Sequence, residues 1–289
     1  MVEKEGNCRM DFESNRVDLL GRATFVAFDT ETTGLWAISN RLVEIAAVKF
    51  RLGSDHVEEF QSLINPQRRI PAEATAVHGI TDKQVATAPE SAIALREFAN
   101  FCGIDSILIA HNAPFDISFV GNEMDRAKME MPQNLVLDTV DIFRRYFPGL
   151  ASYSLISLSR HFGVAQSQEH RGLSDAQLVR RLFQISTQRI PTINTADELK
   201  VQMAVATLAD WRAEKAELPS AYADLSAAVE SGTEVEIVYQ SVGSGESSRV
   251  IRPLQVHRLG PVHYIVAYCH RSQSERTFRL DRISKYKIL

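Results

Sequence analysis

The feature that most constrains this chain is a change of hydrophobic period. Residues 24–29 (TFVAFD), 42–50 (LVEIAAVKF) and 57–64 (VEEFQSLI) carry the β-branched and aromatic enrichment of strands. Beyond them the apolar residues recur at helical spacing. Residues 91–102, 114–128, 138–146, 154–162 and 174–188 read as helices, with the apolar run 106–110 as a buried strand between two of them. A meander followed by helices interleaved with strand confines this part to an α/β architecture, a mixed sheet flanked by helices.

The period changes again near residue 190. Pro191 closes the helical region, and residues 195–215 form an Ala-rich stretch without Gly or Pro that reads as a helical spacer. A helix over 221–230 runs into Ser231-Gly232, and from Glu234 the text is strand-like (EVEIVYQ, RVIRPLQVHRL, VHYIVAYC, ERTFRL, SKYKIL), punctuated by Gly243-Ser244-Gly245. This predicts a small, strongly twisted β unit led by one helix. The expected partition is an N-terminal extension 1–21, a first domain 22–190, a helical linker 191–220 and a second domain 221–289; a chain of 289 residues supports two cores.

Composition excludes several classes. With 45% apolar and 24% charged residues and no apolar run long enough to span a bilayer, the chain reads as globular, without a membrane partner. Residues 1–20 carry charges where a signal peptide needs an apolar run, so a cytoplasmic protein is expected. Cys8, Cys102 and Cys269 show no metal-ligand spacing and read as reduced filler. A net charge of −4 argues against coating nucleic acid by charge alone, but not against an enzyme that binds cations first. From Arg249 onward the balance reverses, with nine Lys and Arg against only Glu275 and Asp281, which fits either a solvated face or an anionic ligand.

Four carboxylates and one histidine occupy settings that invite chemistry. Asp29 and Glu31 end an apolar strand, and alternate residues of an extended chain project to one face. Two such carboxylates repel unless a cation neutralises them, although a strand end reaching solvent would tolerate them. Asp116 follows His111-Asn112-Ala113-Pro114-Phe115, where Pro114 suits a first helical turn and an acid there complements the helix dipole. His170 lies in a polar loop, and Asp175 opens the next helix, where it or Ser174 can serve as a cap. Each element alone has this plain structural explanation.

Together the D-x-E strand, the H-N-x-x-F-D junction and the H-x-x-x-x-D loop resemble, in order and context, the three motifs of the DEDDh, DnaQ-like exonucleases. Val77-His78-Gly79-Ile80-Thr81, and Leu137-Asp138-Thr139 with Arg144 and Pro148, resemble further family text, and the likeness covers residues 22–188. It implies an RNase H-like fold and 3′-to-5′ hydrolysis of a nucleic acid, DNA or RNA, from single-stranded 3′ ends. Two divalent ions, Mg²⁺ or Mn²⁺, would be held by Asp29, Glu31, Asp116 and Asp175, with Asp29 bridging and His170 as general base. By the same analogy Thr30, Thr32, Thr33, Gly34, Leu35, His78, Asn112 and Phe115 are substrate contacts, Leu35 and Phe115 being equally suited to the core. Asp138 reads as a helix cap. Relatives that pair make a homodimer the analogous partner.

Residues 221–289 resemble a WYL domain, a small SH3-like β fold, through Arg249-Val250-Ile251-Arg252-Pro253-Leu254, His263-Tyr264-Ile265-Val266-Ala267-Tyr268-Cys269 and Arg276-Thr277-Phe278-Arg279-Leu280-Asp281-Arg282-Ile283. His263 stands where Trp is usual and Ile265 where Leu is. The resemblance implies nucleic-acid or nucleotide binding, with Arg252, Tyr264, Arg279 and Arg282 as ligand residues. Two other readings fit the sequence: a polymerase proofreading subunit, or a nucleic-acid-binding regulator with an inactive nuclease domain.

Overall fold

The computed structural model of the protein describes residues 16–210, 214–241, 245–259 and 262–289; Cys8 and the turn residues Gly243 and Ser244 lie outside them. The first unit runs α1 (Leu19–Arg22), β1 (Phe25–Thr32), β2 (Leu42–Phe50), β3 (Val57–Leu63), α2 (Ala72–His78), α3 (Asp82–Val85), α4 (Ser91–Cys102), β4 (Ile107–Ala110), α5 (Ala113–Arg126), β5 (Val136–Asp138), α6 (Thr139–Tyr146), α7 (Leu155–His161) and α8 (Gly172–Ser186). Then come α9 (Ala196–Gln202), β6 (Val205–Ala206), β7 (Glu214–Lys215), α10 (Ala223–Ser231), β8 (Val235–Ser241), β9 (Gly245–Leu259), β10 (Val262–Cys269), β11 (Ser274–Arg279) and β12 (Ile283–Ile288).

The first sheet has the order β3-β2-β1-β4-β5-β6. β2 runs antiparallel to its neighbours β1 and β3, whereas β4 and β5 run parallel to β1, giving the mixed sheet expected from the sequence. Period-2 alternation along β1 divides the core. Phe25 and Ala27 point into one cluster with Phe183 and Leu182 of α8, while Val26 and Phe28 point into another with Phe98 of α4 and Ile117 and Val120 of α5. Phe25, Phe50 and Phe183 form a ring triad with centroids 4.9–6.4 Å apart. Truncating one of these fully buried rings to Ala costs about 3–5 kcal/mol.

Two expectations about boundaries fail. Residues 16–22 are part of the first unit: Leu20 is fully buried, Arg16 donates to Thr187 O and Ile190 O, and Asp18 accepts from Gly21 N and Ile193 N. The stretch 191–220 is not a continuous helical linker either. After α9 its apolar residues Met203, Val205 and Leu208 turn inward, Met203 and Leu208 being buried, and Val205–Ala206 pairs with β5. Helical propensity loses here to an open sheet edge and a core that accepts these side chains.

The second unit is an antiparallel sheet of order β11-β10-β9-β8-β12, with β7 pairing to β9. α10 lays Leu225 and Ala228 onto a core of Ile237, Ile251, Ile265 and Phe278 and ends at Gly232, whose φ of 67° suits a residue without a Cβ. Among the described residues, no helix is long and apolar enough to cross a membrane.

Candidate active site

The alternation that sorts the core also builds the site. Asp29 and Glu31 continue the face of Phe25 and Ala27 and therefore look towards α8, whose first turn carries Asp175. One carboxylate oxygen from each of Asp29, Glu31 and Asp175 lies within 4.8 Å of the others. Thr30 points to the opposite face, towards α5, and both its N–H (3.0 Å) and its hydroxyl (2.7 Å) donate to Asp116 Oδ1. Thr30 thus supports the fourth carboxylate from inside, rather than offering a free hydroxyl to a substrate. Asp138 is the expected cap, accepting from Val140 N and also from Asn112 N at the start of α5.

Asp116 and Asp175 are buried and Asp29 and Glu31 half-buried, and among the described residues none of the four makes an ion pair. Burial, then Asp116, Glu31 and Asp175, push the Asp29 carboxyl far above its ordinary range. Burial and the neighbouring Asp175 and Glu44 raise Glu31 to about 8, and burial raises Asp116 to about 7 against the bonds from Thr30. Asp175 is raised by burial, with the hydrogen bond from Gln168 and the charge of His170 acting the other way. Asp175 Oδ2 accepts from Gln168 Nε2 at 2.7 Å, while the buried Oδ1 has no partner. An orphaned oxygen among crowded carboxylates fits a hard divalent cation, which prefers such donors and cancels their repulsion.

Glu44, Arg171 and Gln168 were not singled out in the sequence. Glu44 stands directly opposite Glu31 on β2 and is 0% exposed. It accepts from Arg171 Nη2 (2.7 Å) and Nε (3.2 Å), Gly172 N (2.8 Å) and Gln61 Nε2 (2.9 Å). Burial alone would raise its pKa, but these bonds hold it below the ordinary value. The knot pins the start of α8 and the residue next to His170. His170 itself is exposed and has a left-handed backbone, φ 51°. Gly172 fits a close approach: an added Cβ would lie 3.1 Å from Ala46 Cβ and 3.3 Å from Glu44 Oε2, so these neighbours would have to yield slightly. In sequence, a lone Glu within an apolar strand was the only signal for this knot.

The expected substrate residues surround the end of β1. Thr32 and Thr33 are buried; the Thr32 hydroxyl donates to Gly34 O, and the Thr33 hydroxyl accepts from Arg41 N. Leu35 is 75% exposed, which removes the core alternative for it. Phe115 is half-buried against Phe119, joining the core. Asn112 is exposed with φ 63°. His78 is buried; its Nδ1 accepts from Ile80 N, so the proton sits on Nε2, which faces the Thr32 backbone.

In the second unit Arg252 lies over the Tyr268 ring, 5.7 Å from its centroid, and Arg279 makes a two-pronged pair with Asp281. Arg282 is half-buried. Tyr264 is buried with its ring beside Trp36, so this expected ligand residue is already covered.

Residues 26–183 match the family model described as exonuclease, and 220–288 match the WYL domain. The chain belongs to the exonuclease family. Its exonuclease domain is similar to part of DNA polymerase III PolC-type from Oceanobacillus iheyensis, 36% identical over 178 residues, and from Streptococcus suis, 38% identical over 170. These alignments cover 62% and 58% of this chain but only 12% of either polymerase. Among solved structures, E. coli exonuclease I in complex with a dT13 oligonucleotide matches with a TM-score of 0.54 at 17% identity, over 85% of this chain and 55% of that one. That likeness is one of fold. The RNase H-like exonuclease domain and the β-rich WYL domain therefore stand in the expected order.

Proposed function

We propose that this exonuclease removes nucleotides from single-stranded 3′ ends by a two-metal mechanism, and that its WYL domain binds nucleic acid or a nucleotide. The observation that carries the reading is the group of Asp29, Glu31 and Asp175 oxygens within 4.8 Å, beside a buried Asp116, with no ion pair to any of the four among the described residues. These four residues would hold the ions, which when bound supply an activated water and charge stabilisation on the leaving 3′ oxygen. Thr30 keeps Asp116 oriented, and the Glu44–Arg171 pair fixes the start of α8 so that Asp175 meets Asp29 and Glu31. His170, exposed on its loop, accepts the proton of the attacking water. Leu35 stands clear of the core, where an apolar side chain can lie against the terminal base.

The test is degradation of 5′-labelled single-stranded DNA and RNA with Mg²⁺ or Mn²⁺, beside Asp29→Ala. A metal-dependent ladder shortening from the 3′ end, absent in the variant, is expected for at least one polymer. Absence of cutting on both polymers with both metals would leave only a binding role. The likeness to PolC-type polymerases favours a second reading, trimming of mispaired primer ends; faster removal of a mispaired than a paired 3′ nucleotide would support it.

A further inference from the structure

The loop of residues 33–41 joins β1 to β2, and the backbone oxygens of residues 36–40 each accept a hydrogen bond. Trp36 O accepts from Ser39 N, Asn40 N and Asn40 Nδ2. Ala37 O and Ile38 O accept from Arg126 Nη2, Ser39 O from Arg68 and Asn40 O from Arg126 Nη1. Arg126 ends α5, the helix that carries Asp116. The exonuclease domain thus holds the loop by its main chain.

Its side chains meet the other domain. Ser39 Oγ lies 2.5 Å from Thr277 Oγ1, and the Trp36 ring is 5.5 Å from Tyr264. Ser39, Thr277 and Tyr264 are each no more than 6% exposed. Tyr264 on β10 alternates with the core residues Ile265 and Ala267, and Thr277 sits opposite Val266, so both contacts come from the outer face of the WYL sheet. An outer face of a small β domain that buries a hydroxyl and a tyrosine ring is otherwise unexplained.

We infer that Tyr264 and Thr277 are positioning residues for the exonuclease reaction. The WYL sheet clamps loop 33–41 against α5 and so fixes Gly34 and Leu35, which hold the strand end; the inference rests on the nuclease reading above. Gly34 is already crowded, since an added Cβ there would lie 2.6 Å from Asn40 Oδ1, so a shift of the loop is transmitted to it. The role is one of substrate placement, with the carboxylates left in position by β1 and α8.

The experiment uses the full chain and a 5′-labelled single-stranded oligonucleotide with Mg²⁺. Thr277→Val removes the short Ser39–Thr277 bond, leaving the Ser39 hydroxyl only the longer one from Asn40 Nδ2 at 3.3 Å, and should raise KM about tenfold, the scale of one lost buried hydrogen bond. Tyr264→Ala and Trp36→Ala should do the same from the two sides of the contact, all with kcat within about twofold. Thr277→Ser, which keeps the hydroxyl, should restore KM. The chain has two tryptophans, so in a Trp211→Phe background the emission of Trp36 reads the contact directly and should shift to the red in Tyr264→Ala. Wild-type cutting with unchanged KM in variants whose Trp36 emission has shifted would overturn the inference and leave the nuclease standing. Equal losses in Thr277→Ser and Thr277→Val would overturn it as well. A wild type that cuts nothing would sink the nuclease reading and this inference with it.

Discussion

Glu31 and Glu44 face each other across β1 and β2, and both are withdrawn from water, yet their charges are handled in opposite ways. Glu44 receives four hydrogen bonds, two of them from a guanidinium, and its pKa falls. Glu31 lies among three other acids, and its pKa rises to about 8. The protein supplies the cation on one side of this strand pair and leaves the other side to be neutralised from outside. A buried acid thus marks a site when its countercharge is missing, and marks scaffold when the countercharge is built in.

The contrast can be broken most severely at the site. Asn at position 29 should lower kcat at least about 10³-fold, because the residues there act as a unit. The same Asp29→Asn change should raise the melting temperature of the metal-free protein at pH 8 by removing one repelling charge. A fall in that temperature would show that the acids are not mutually destabilising. On the other side, Glu44→Gln should cost about 3 kcal/mol in urea unfolding at pH 7, since it strands Arg171 beside a neutral amide. A cost near zero would make the knot ornamental.

The two sides should also respond oppositely to pH. Glu31 and Asp116 retain protons in the folded state that the unfolded chain has released, so their stabilising share is full below the ordinary carboxylate range and is lost as pH rises towards about 7–8. Glu44 contributes above its unfolded value and loses that share as pH falls below the ordinary range. Thermal melts in EDTA should therefore decline from about pH 5 to 8. Mg²⁺ should restore about 2.7 kcal/mol at a hundred times its Kd, and more readily at pH 8 than at pH 6. The smallest effect is expected for Gly172→Ala, about 1 kcal/mol, because Ala46 and Glu44 must yield a few tenths of an ångström; urea unfolding measures it.

The part of this protein legible in its sequence is the part governed by local period. The strand at 42–50 and the helix at 91–102 appear with the boundaries read from pattern, as does the strand at 262–269. Asp29, Glu31 and Asp175 meet because strand alternation and a helix N-terminus are local rules. What pattern could not convey is long-range accounting. Glu44 is one acid in an apolar strand until Arg171 arrives from 127 residues away. Leu20 and Leu208 look like extension and linker until the core they fill is assembled. Tyr264 reads as a ligand residue because the ring that covers it belongs to the other domain.

β6 and β7 are only two residues each, but they sit in different sheets: Val205–Ala206 is sewn to β5 and Glu214–Lys215 to β9. The chain that connects these two pairings is residues 207–213, with Leu208 itself buried in the exonuclease core, so its reach is at most about 25 Å at roughly 3.5 Å per residue. So short a leash holds each domain at an effective concentration on the order of millimolar with respect to the other. A pair of contacts as slight as Trp36 with Tyr264 and Ser39 with Thr277 could not hold two separate molecules together. Leashed in this way they need only choose an orientation, which leaves the contact weak enough to be tuned by single substitutions.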